Sequence, residues 1–187
     1  MNVYLIMAHP TKESFNNSLA EAYEAKLKTL GKNVKKINLI DLELNPILIK
    51  NNQDEKQLNI IKEEQEKIKW ADEIVFFYPL WWGSIPALLK GYIDNVFQSG
   101  FAFSYRKDGS GWDKLLKNKI VRVFSTCDAP SWFITTIYKN TDFRMIKTAI
   151  SWFTGMKLKQ AKRIDKLYKH NKEEREQIIK KIISKIK

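Results

Sequence analysis

Apolar residues run unbroken along Val3-Tyr4-Leu5-Ile6-Met7 and again along Ile74-Val75-Phe76-Phe77-Tyr78, the pattern of strands buried on both faces. After the first run, Phe15, Leu19, Ala22, Tyr23, Leu27 and Leu30 recur at a period near that of a helix, which predicts one from about Ser14 closed by Gly31. Val34 to Ile40 alternates apolar with polar positions and predicts a strand nearer the sheet edge. A polar connection through Pro46 leads to a second helix over about Gln53 to Lys69, and the span Lys50 to Gln57 is expected to be an insertion or mobile loop. Glu73 to Tyr78 is the most apolar strand and is placed centrally, and Pro86 then occupies the first turn of a helix running to about Phe97.

Lys119 to Thr126 and, more weakly, Lys157 to Ile164 complete a set of five strands. A helical region from Trp132 to Thr154, broken near Asn140 and stopped by Gly155, lies between these last two. Ile178, Ile179, Ile182, Ile183 and Ile186 place an apolar stripe on a final helix over Lys172 to Ile186. Strands alternating with helices dictate an α/β fold with mainly parallel pairing and right-handed crossovers. That topology gathers the loops Ala8 to Asn16, Pro79 to Ser84 and Ser125 to Ser131 at the carboxyl ends of the strands, where open sheets bind ligands. The 187 residues carry no internal repeat and no linker, so a single domain, 1–187, is expected.

Composition narrows the chemistry. One cysteine, Cys127, rules out an intrachain disulfide and a cysteine zinc cluster, and His9 and His170 lie far apart without an acidic ligand pattern, so no metal site is expected. The formal charge of +12 comes mainly from lysines scattered through Lys26 to Lys36, Lys62 to Lys69 and Lys157 to Lys187, interleaved with glutamates, while arginine is rare. That distribution suits solvated helix faces better than a nucleic-acid stripe, although steering of anionic nucleotides and polyanion binding remain open readings. No apolar run approaches the roughly 20 residues that cross a bilayer, and no secretory segment is visible at Asn2 to Met7, so a cytoplasmic protein without membrane insertion is expected.

Each loop offers a specific chemistry. His9-Pro10-Thr11-Lys12-Glu13-Ser14-Phe15-Asn16 ends at a helix amino terminus, which favours a phosphate, although Ser14 capping the helix is an equally ordinary use. It matches neither the Walker pattern nor the glycine-rich dinucleotide fingerprint. Pro79-Leu80-Trp81-Trp82-Gly83-Ser84-Ile85-Pro86 reads as a stiff platform for a flat ring, the alternative being that its tryptophans are core or dimer contacts. Gly100 to Tyr105 could add an aromatic wall. Ser125-Thr126-Cys127-Asp128 offers hydroxyls and backbone donors; Cys127 lacks an activating histidine and reads as a small filler, and Asp128 either meets substrate or caps the next helix.

Ala8-His9-Pro10 with Ser14-Phe15-Asn16, then Tyr78-Pro79-Leu80-Trp81-Trp82-Gly83-Ser84-Ile85-Pro86-Ala87-Leu88-Leu89-Lys90-Gly91, then Val96-Phe97 and Gly100-Phe101-Ala102, resemble the flavodoxin-like NAD(P)H:quinone oxidoreductases, a group that includes drug-activity modulators and potassium-efflux ancillary subunits. The similarity spans about Met1 to Tyr105 and continues more loosely to the carboxyl end. It implies a flavodoxin-like doubly wound sheet of order 2-1-3-4-5, bound FMN or alternatively FAD, NAD(P)H as co-substrate, and a homodimer. By motif match, His9, Ser14, Phe15 and Asn16 would hold the flavin phosphate end, Pro79, Leu80, Trp81, Trp82 and Gly83 the ring edge, and Ser125, Thr126, Cys127 and Asp128 the second flavin loop. Trp82, Phe103, Tyr105 and Trp132 are the expected substrate contacts.

The third loop departs from the best-known quinone reductases, which carry a Thr-Thr-Gly-Gly run with a downstream tyrosine and histidine. It looks closer to a bacterial subgroup with a Thr-x-Asp-x-Pro-x-Trp segment, matched by Thr126, Asp128, Pro130 and Trp132. No catalytic side chain is therefore assigned. The activity implied is a ping-pong transfer of hydride from NAD(P)H through flavin to a quinone or similar acceptor. The alternatives are a regulatory subunit of a membrane transporter and a non-catalytic flavodoxin-type electron carrier. Asp128 is expected to point away from the reduced ring.

Overall fold

The computed structural model describes residues 1–48 and 54–186. Seven strands form in chain order: β1 Asn2–Met7, β2 Asn33–Asn38, β3 Glu73–Pro79, β4 Phe103–Tyr105, β5 Trp112–Lys114, β6 Ile120–Thr126 and β7 Lys157–Ile164. Five of them make one parallel sheet in the order β2-β1-β3-β6-β7, the doubly wound order expected, while β4 and β5 pair as a separate antiparallel hairpin. β3 is central and buried along its whole length, whereas the edge strands are more open: β2 has only exposed and half-buried positions, and β7 alternates exposed with half-buried ones until the buried Ile164. Register along β6 and β7 shifts between Val121 and Arg122.

Helix α1, Phe15–Thr29, and α6, Lys172–Ile183, cover one face of the sheet, and α2, Glu55–Trp70, and α3, Ala87–Val96, cover the other. Strand alternation sorts the side chains accordingly. Val3, Leu5, Val75, Phe77 and Phe124 pack on α1 and α6, and Tyr4, Ile6, Ile74, Phe76 and Val123 pack on the opposite layer. The second layer contains a buried carboxylate, Glu64, which accepts from Tyr4 Oη at 2.5 Å and Tyr92 Oη at 2.9 Å and pairs with Lys67 Nζ at 2.6 Å. These partners tie α2 and α3 to β1 and satisfy a group that would otherwise be costly to bury.

Several expected bounds shift for local reasons. β2 ends at Asn38 because Leu39–Asp41 turns into a 3₁₀-helix, and the last helix stops at Ile183. The start expected at Gln53 lies outside the described residues; Asp54 caps α2 by accepting from the Lys56 and Gln57 amides. So Asp54 to Gln57 of the expected loop is the cap and first turn of a helix. The break near Asn140 is present: Lys139 and Asn140 both take φ of +51°, separating α4, Ser131–Thr136, from α5, Thr141–Arg144. α5 continues as a π-helix over Met145–Trp152, which the periodicity does not announce.

Gly91 fixes the loop ahead of α2. A Cβ there would lie 2.5 Å from Pro46 Cβ and 2.6 Å from its Cα, too close for contact. Gly91→Ala is therefore expected to push the Pro46 loop off α3 at a cost of about 1–3 kcal/mol, measured by urea unfolding. An unchanged midpoint would mean that the loop does not rest on α3.

Candidate functional site

The three loops do converge at the carboxyl edge of the sheet. Leu80 N donates to Thr126 O at 2.7 Å, Ala8 N to Phe77 O at 2.8 Å, and Asn16 Nδ2 to Thr126 Oγ1 at 2.8 Å, so each loop is tied to another. His9 meets Trp81 edge to face with ring centroids 6.3 Å apart. His9 Nδ1 lies 3.1 Å from the Thr11 amide and 3.0 Å from the Thr11 hydroxyl, contacts that hold the ring against its own loop.

Ser14 does cap α1, accepting from Asn17 N at 3.2 Å. The cap uses only one of the free amides, and no acceptor meets the amides of Phe15 or Asn16 among the described residues. Those two donors and the helix dipole remain available to an anion. Asn16 is 1% exposed, and its Oδ1 has no partner among the described residues, so a buried acceptor faces a missing donor.

In the second loop Trp82 and Gly83 take φ of +51° and +73° between Trp81 and Ser84, whose backbones exchange bonds of 3.1 and 2.9 Å. Two consecutive positive φ values make a type I′ turn, a conformation that glycine fits and tryptophan does not. Gly83 lies against the Tyr138 ring, where a Cβ would come within 3.0 Å, and its carbonyl accepts from Thr141 Oγ1. The turn is thus held from beneath while Trp82 stands 98% exposed and Trp81 47%. The reading of Trp82 as a core residue is excluded. A strained backbone that presents a bare indole is a feature of ligand sites.

The third loop divides in two. Ser125 is fully buried and accepts from Arg163 Nη1 at 3.3 Å, and Thr126 holds Asn16, so both hydroxyls are already engaged. Asp128 is exposed without a hydrogen-bond partner among the described residues. The helix cap falls to Asp165 instead, whose Oδ2 accepts from Ser131 N at 2.5 Å; burial raises its pKa, but the Ser131 bonds outweigh that and hold the carboxyl below the usual range. Trp132, at 65% exposed, joins Trp81 and Trp82 in a set of bare indoles on the loops and the helix that follows them.

Cys127 packs with Leu80 and Ile134, its Sγ donates to Ala129 O at 3.2 Å, and burial pushes the thiol up to about 11. That is a filler, not a nucleophile. Alkylation of the native protein should stay slow at pH 8, rise as pH approaches 11, and be fast at pH 8–9 in denaturant; rapid native labelling at pH 8 would contradict the buried setting.

Phe103 and Tyr105 do not join the loops. They sit on β4, with Phe103 edge-on to Tyr105 at 5.3 Å and to Phe153 at 4.9 Å, beside the π-helix. Of the expected substrate contacts, Phe103 and Tyr105 are therefore not gathered with Trp82 within one chain. What sequence reasoning missed is the support under the loops: Asp142 Oδ1 accepts from Arg163 Nη2 at 2.8 Å and Oδ2 from Tyr78 Oη at 3.1 Å, with both charged side chains at most 5% exposed. Burial, then the Asp142 charge, drives the Tyr78 hydroxyl well above its ordinary range. An aspartate at the start of an apolar helical stretch, Asp142, was one available signal. No group of three or more His, Cys, Asp or Glu side chains among the described residues could hold a metal ion, and none of the helices is long and apolar enough to span a membrane.

The chain is similar in fold to a protein of Streptococcus mutans, Smu.1420, with a TM-score of 0.81, 25% identity and 98% and 97% of the two chains covered. It is also similar to the FMN-dependent NADH-azoreductase of Bacillus anthracis in complex with FMN, with a TM-score of 0.77, 21% identity and 97% and 95% covered. In sequence it is 38% identical over 131 residues to an uncharacterized NAD(P)H oxidoreductase of Haemophilus influenzae, covering 67% of this chain and 64% of the relative. Against the rat NAD(P)H dehydrogenase [quinone] 1 it is 30% identical over 122 residues, 54% of this chain and 44% of the relative. The chain thus matches less than two thirds of the length of these two relatives. With the sheet order and loop edge in place, and a family model matching residues 1–187, the chain belongs to the flavodoxin-like fold family.

Proposed function

We propose that the chain is a flavin-dependent NAD(P)H oxidoreductase that passes a hydride to a quinone or similar acceptor. The observation that carries this reading is the joining, on one rim, of two free helix amides, an orphaned Asn16 Oδ1 and a bare indole on a strained turn. These residues fit a flavin. The Phe15 and Asn16 amides would take its phosphate, Asn16 Oδ1 a hydroxyl of its side chain, and the Pro79–Gly83 loop the edge of its ring. When bound, the flavin supplies the two-electron chemistry, accepting hydride equivalents from NAD(P)H and returning them to an acceptor.

The chain's own part is to hold and to exclude. The type I′ turn would hold Trp82 for a flat substrate to stack on, and of the third-loop amides those of Asp128 and Ala129, which meet no acceptor among the described residues, would be the donors to negative charge on a reduced ring. Asp128 stands exposed to solvent, without a hydrogen-bond partner among the described residues. A single stacking place visited in turn by nicotinamide and acceptor gives a ping-pong cycle, which parallel double-reciprocal plots of NADPH against menadione would support and intersecting lines would refute.

FMN is the first reading of the flavin. FAD is favoured by one observation: a hollow of about 770 Å³ runs from Ser14 and Phe15 to His170 and Arg175, room for a second nucleotide half beside the phosphate end. Chromatography of the flavin released from the purified protein decides between them, and a colourless protein that takes up neither removes the proposal. A homodimer is proposed as well, since a hollow of about 270 Å³ lined by Ile93, Phe97, Phe103, Met145 and Phe153 lies next to Trp152, itself 57% exposed. Sedimentation at micromolar concentration tests it, and a monomer there would overturn it.

A further inference from the structure

The opposite end of the sheet carries a second hollow that the loops do not use. At the amino-terminal ends of β3 and β6, between the last turns of α1 and α6, lies a cavity of about 350 Å³. The Tyr23 ring, Leu27 and Ile182 form its apolar wall, and the Tyr23 hydroxyl, driven above its ordinary range by burial and then by the Glu73 charge, faces Glu73. Lys32, Lys159 and Lys185 line it too, and none of the three has an ion-pair partner among the described residues.

Glu73 lines the same cavity and is 2% exposed. Its Oε1 accepts from Arg122 Nε at 2.9 Å, and Arg122 is fixed in turn by Gln160 Oε1 at 2.8 Å. Its Oε2 completes no hydrogen bond among the described residues, although the Tyr23 hydroxyl faces the carboxylate. A buried carboxylate oxygen with an open lone pair is costly, and a ligand hydroxyl would satisfy it. Excess positive charge surrounds the cavity: Lys162 is held below the usual lysine range by burial and then by Lys185 and Lys181. An anion seated among these lysines would relieve that repulsion.

We propose that this cavity is a binding site for a small hydroxylated polyanion, its acidic groups on Lys32, Lys159 and Lys185 and its hydroxyl on Glu73 Oε2. The volume lies at the small end of ligand sites and suits a hydroxy polycarboxylate or a sugar phosphate, which share this chemistry. The site does not depend on the flavin reading, because no residue of the three loops lines it.

The test is a titration of the methyl-labelled full chain, with flavin added in excess so that the upper site is not in competition. Citrate, tricarballylate, which lacks only the hydroxyl, and glycerol 3-phosphate are compared at matched ionic strength, with the Leu27 and Ile182 methyl signals as reporters. Citrate or glycerol 3-phosphate should shift them saturably, and which binds tighter identifies the class of ligand. Citrate should bind at least about tenfold tighter than tricarballylate, as one hydrogen bond to a buried carboxylate predicts. Lys159→Ala with Lys185→Ala, both exposed positions, should weaken binding of the tighter probe about tenfold, and Glu73→Gln should abolish the preference for citrate. If Glu73→Gln does not fold, the matched pair on the unaltered protein still decides the role of the hydroxyl. Absence of saturable shifts, equal binding of citrate and tricarballylate, or undiminished binding in the lysine variant would overturn the site.

Discussion

Asp142→Ala should lower the thermal midpoint by roughly 6–20 °C, the shift that about 3–5 kcal/mol produces in a domain of this size. The reason is what it leaves behind. Arg163 has a side chain only 5% exposed and donates to Asp142 through both terminal nitrogens, at 2.8 and 3.2 Å, with its guanidinium 4.2 Å over the Phe143 ring. Removing the carboxylate strands that charge and takes the acceptor from Tyr78 Oη. Adding Arg163→Met should recover much of the loss, because no buried charge then remains unpaired. The network also holds Asn140 through Arg163 Nη2 at 3.3 Å, just ahead of Thr141, which bonds the Gly83 carbonyl. Flavin affinity should therefore fall with stability in the single variant. A midpoint within 2 °C of the original would show that solvent reaches Arg163 and that the pair is not a support.

This support is also where the sequence is least legible. β1 and β3 are plain as unbroken apolar runs, and even the weak edge strand β7 keeps the bounds expected, Lys157–Ile164. The loops are found because parallel topology forces them to one rim. Asp142 and Arg163 are 21 positions apart on different elements, and nothing local couples them. The one compositional hint is that arginine is scarce among lysines: Arg106, Arg122 and Arg163 are each in a carboxylate pair, where a planar fork matters. The hairpin β4–β5 escapes notice because three-residue strands carry too little pattern, and the aromatic run through Phe103 and Tyr105 looks like a ligand wall when its partner is Phe153. The π-helix escapes because Met145, Ile146, Ile150 and Phe153 keep a helical spacing under either hydrogen-bond register.

The turn at Trp82 allows stability and function to be separated by one substitution. Trp82→Gly removes a side chain from a left-handed backbone position, which relieves about 1–2 kcal/mol, while glycine's extra freedom in the unfolded chain returns about 0.4–1 kcal/mol. The thermal midpoint should hold or rise slightly, because an indole 98% exposed contributes no packing that could be lost. Turnover should move the other way. Stacking of a flat ring on an aromatic side chain is worth about 1–3 kcal/mol, so kcat/KM for menadione should fall about tenfold to hundredfold. Trp82→Ala should lose as much activity without the gain in stability, and Trp82→Phe should keep most of the activity because the ring face remains. These three variants distinguish a stacking platform from a turn that is merely strained. Full turnover by Trp82→Gly would take Trp82 out of the reaction and leave its exposed indole to be accounted for as an intersubunit contact.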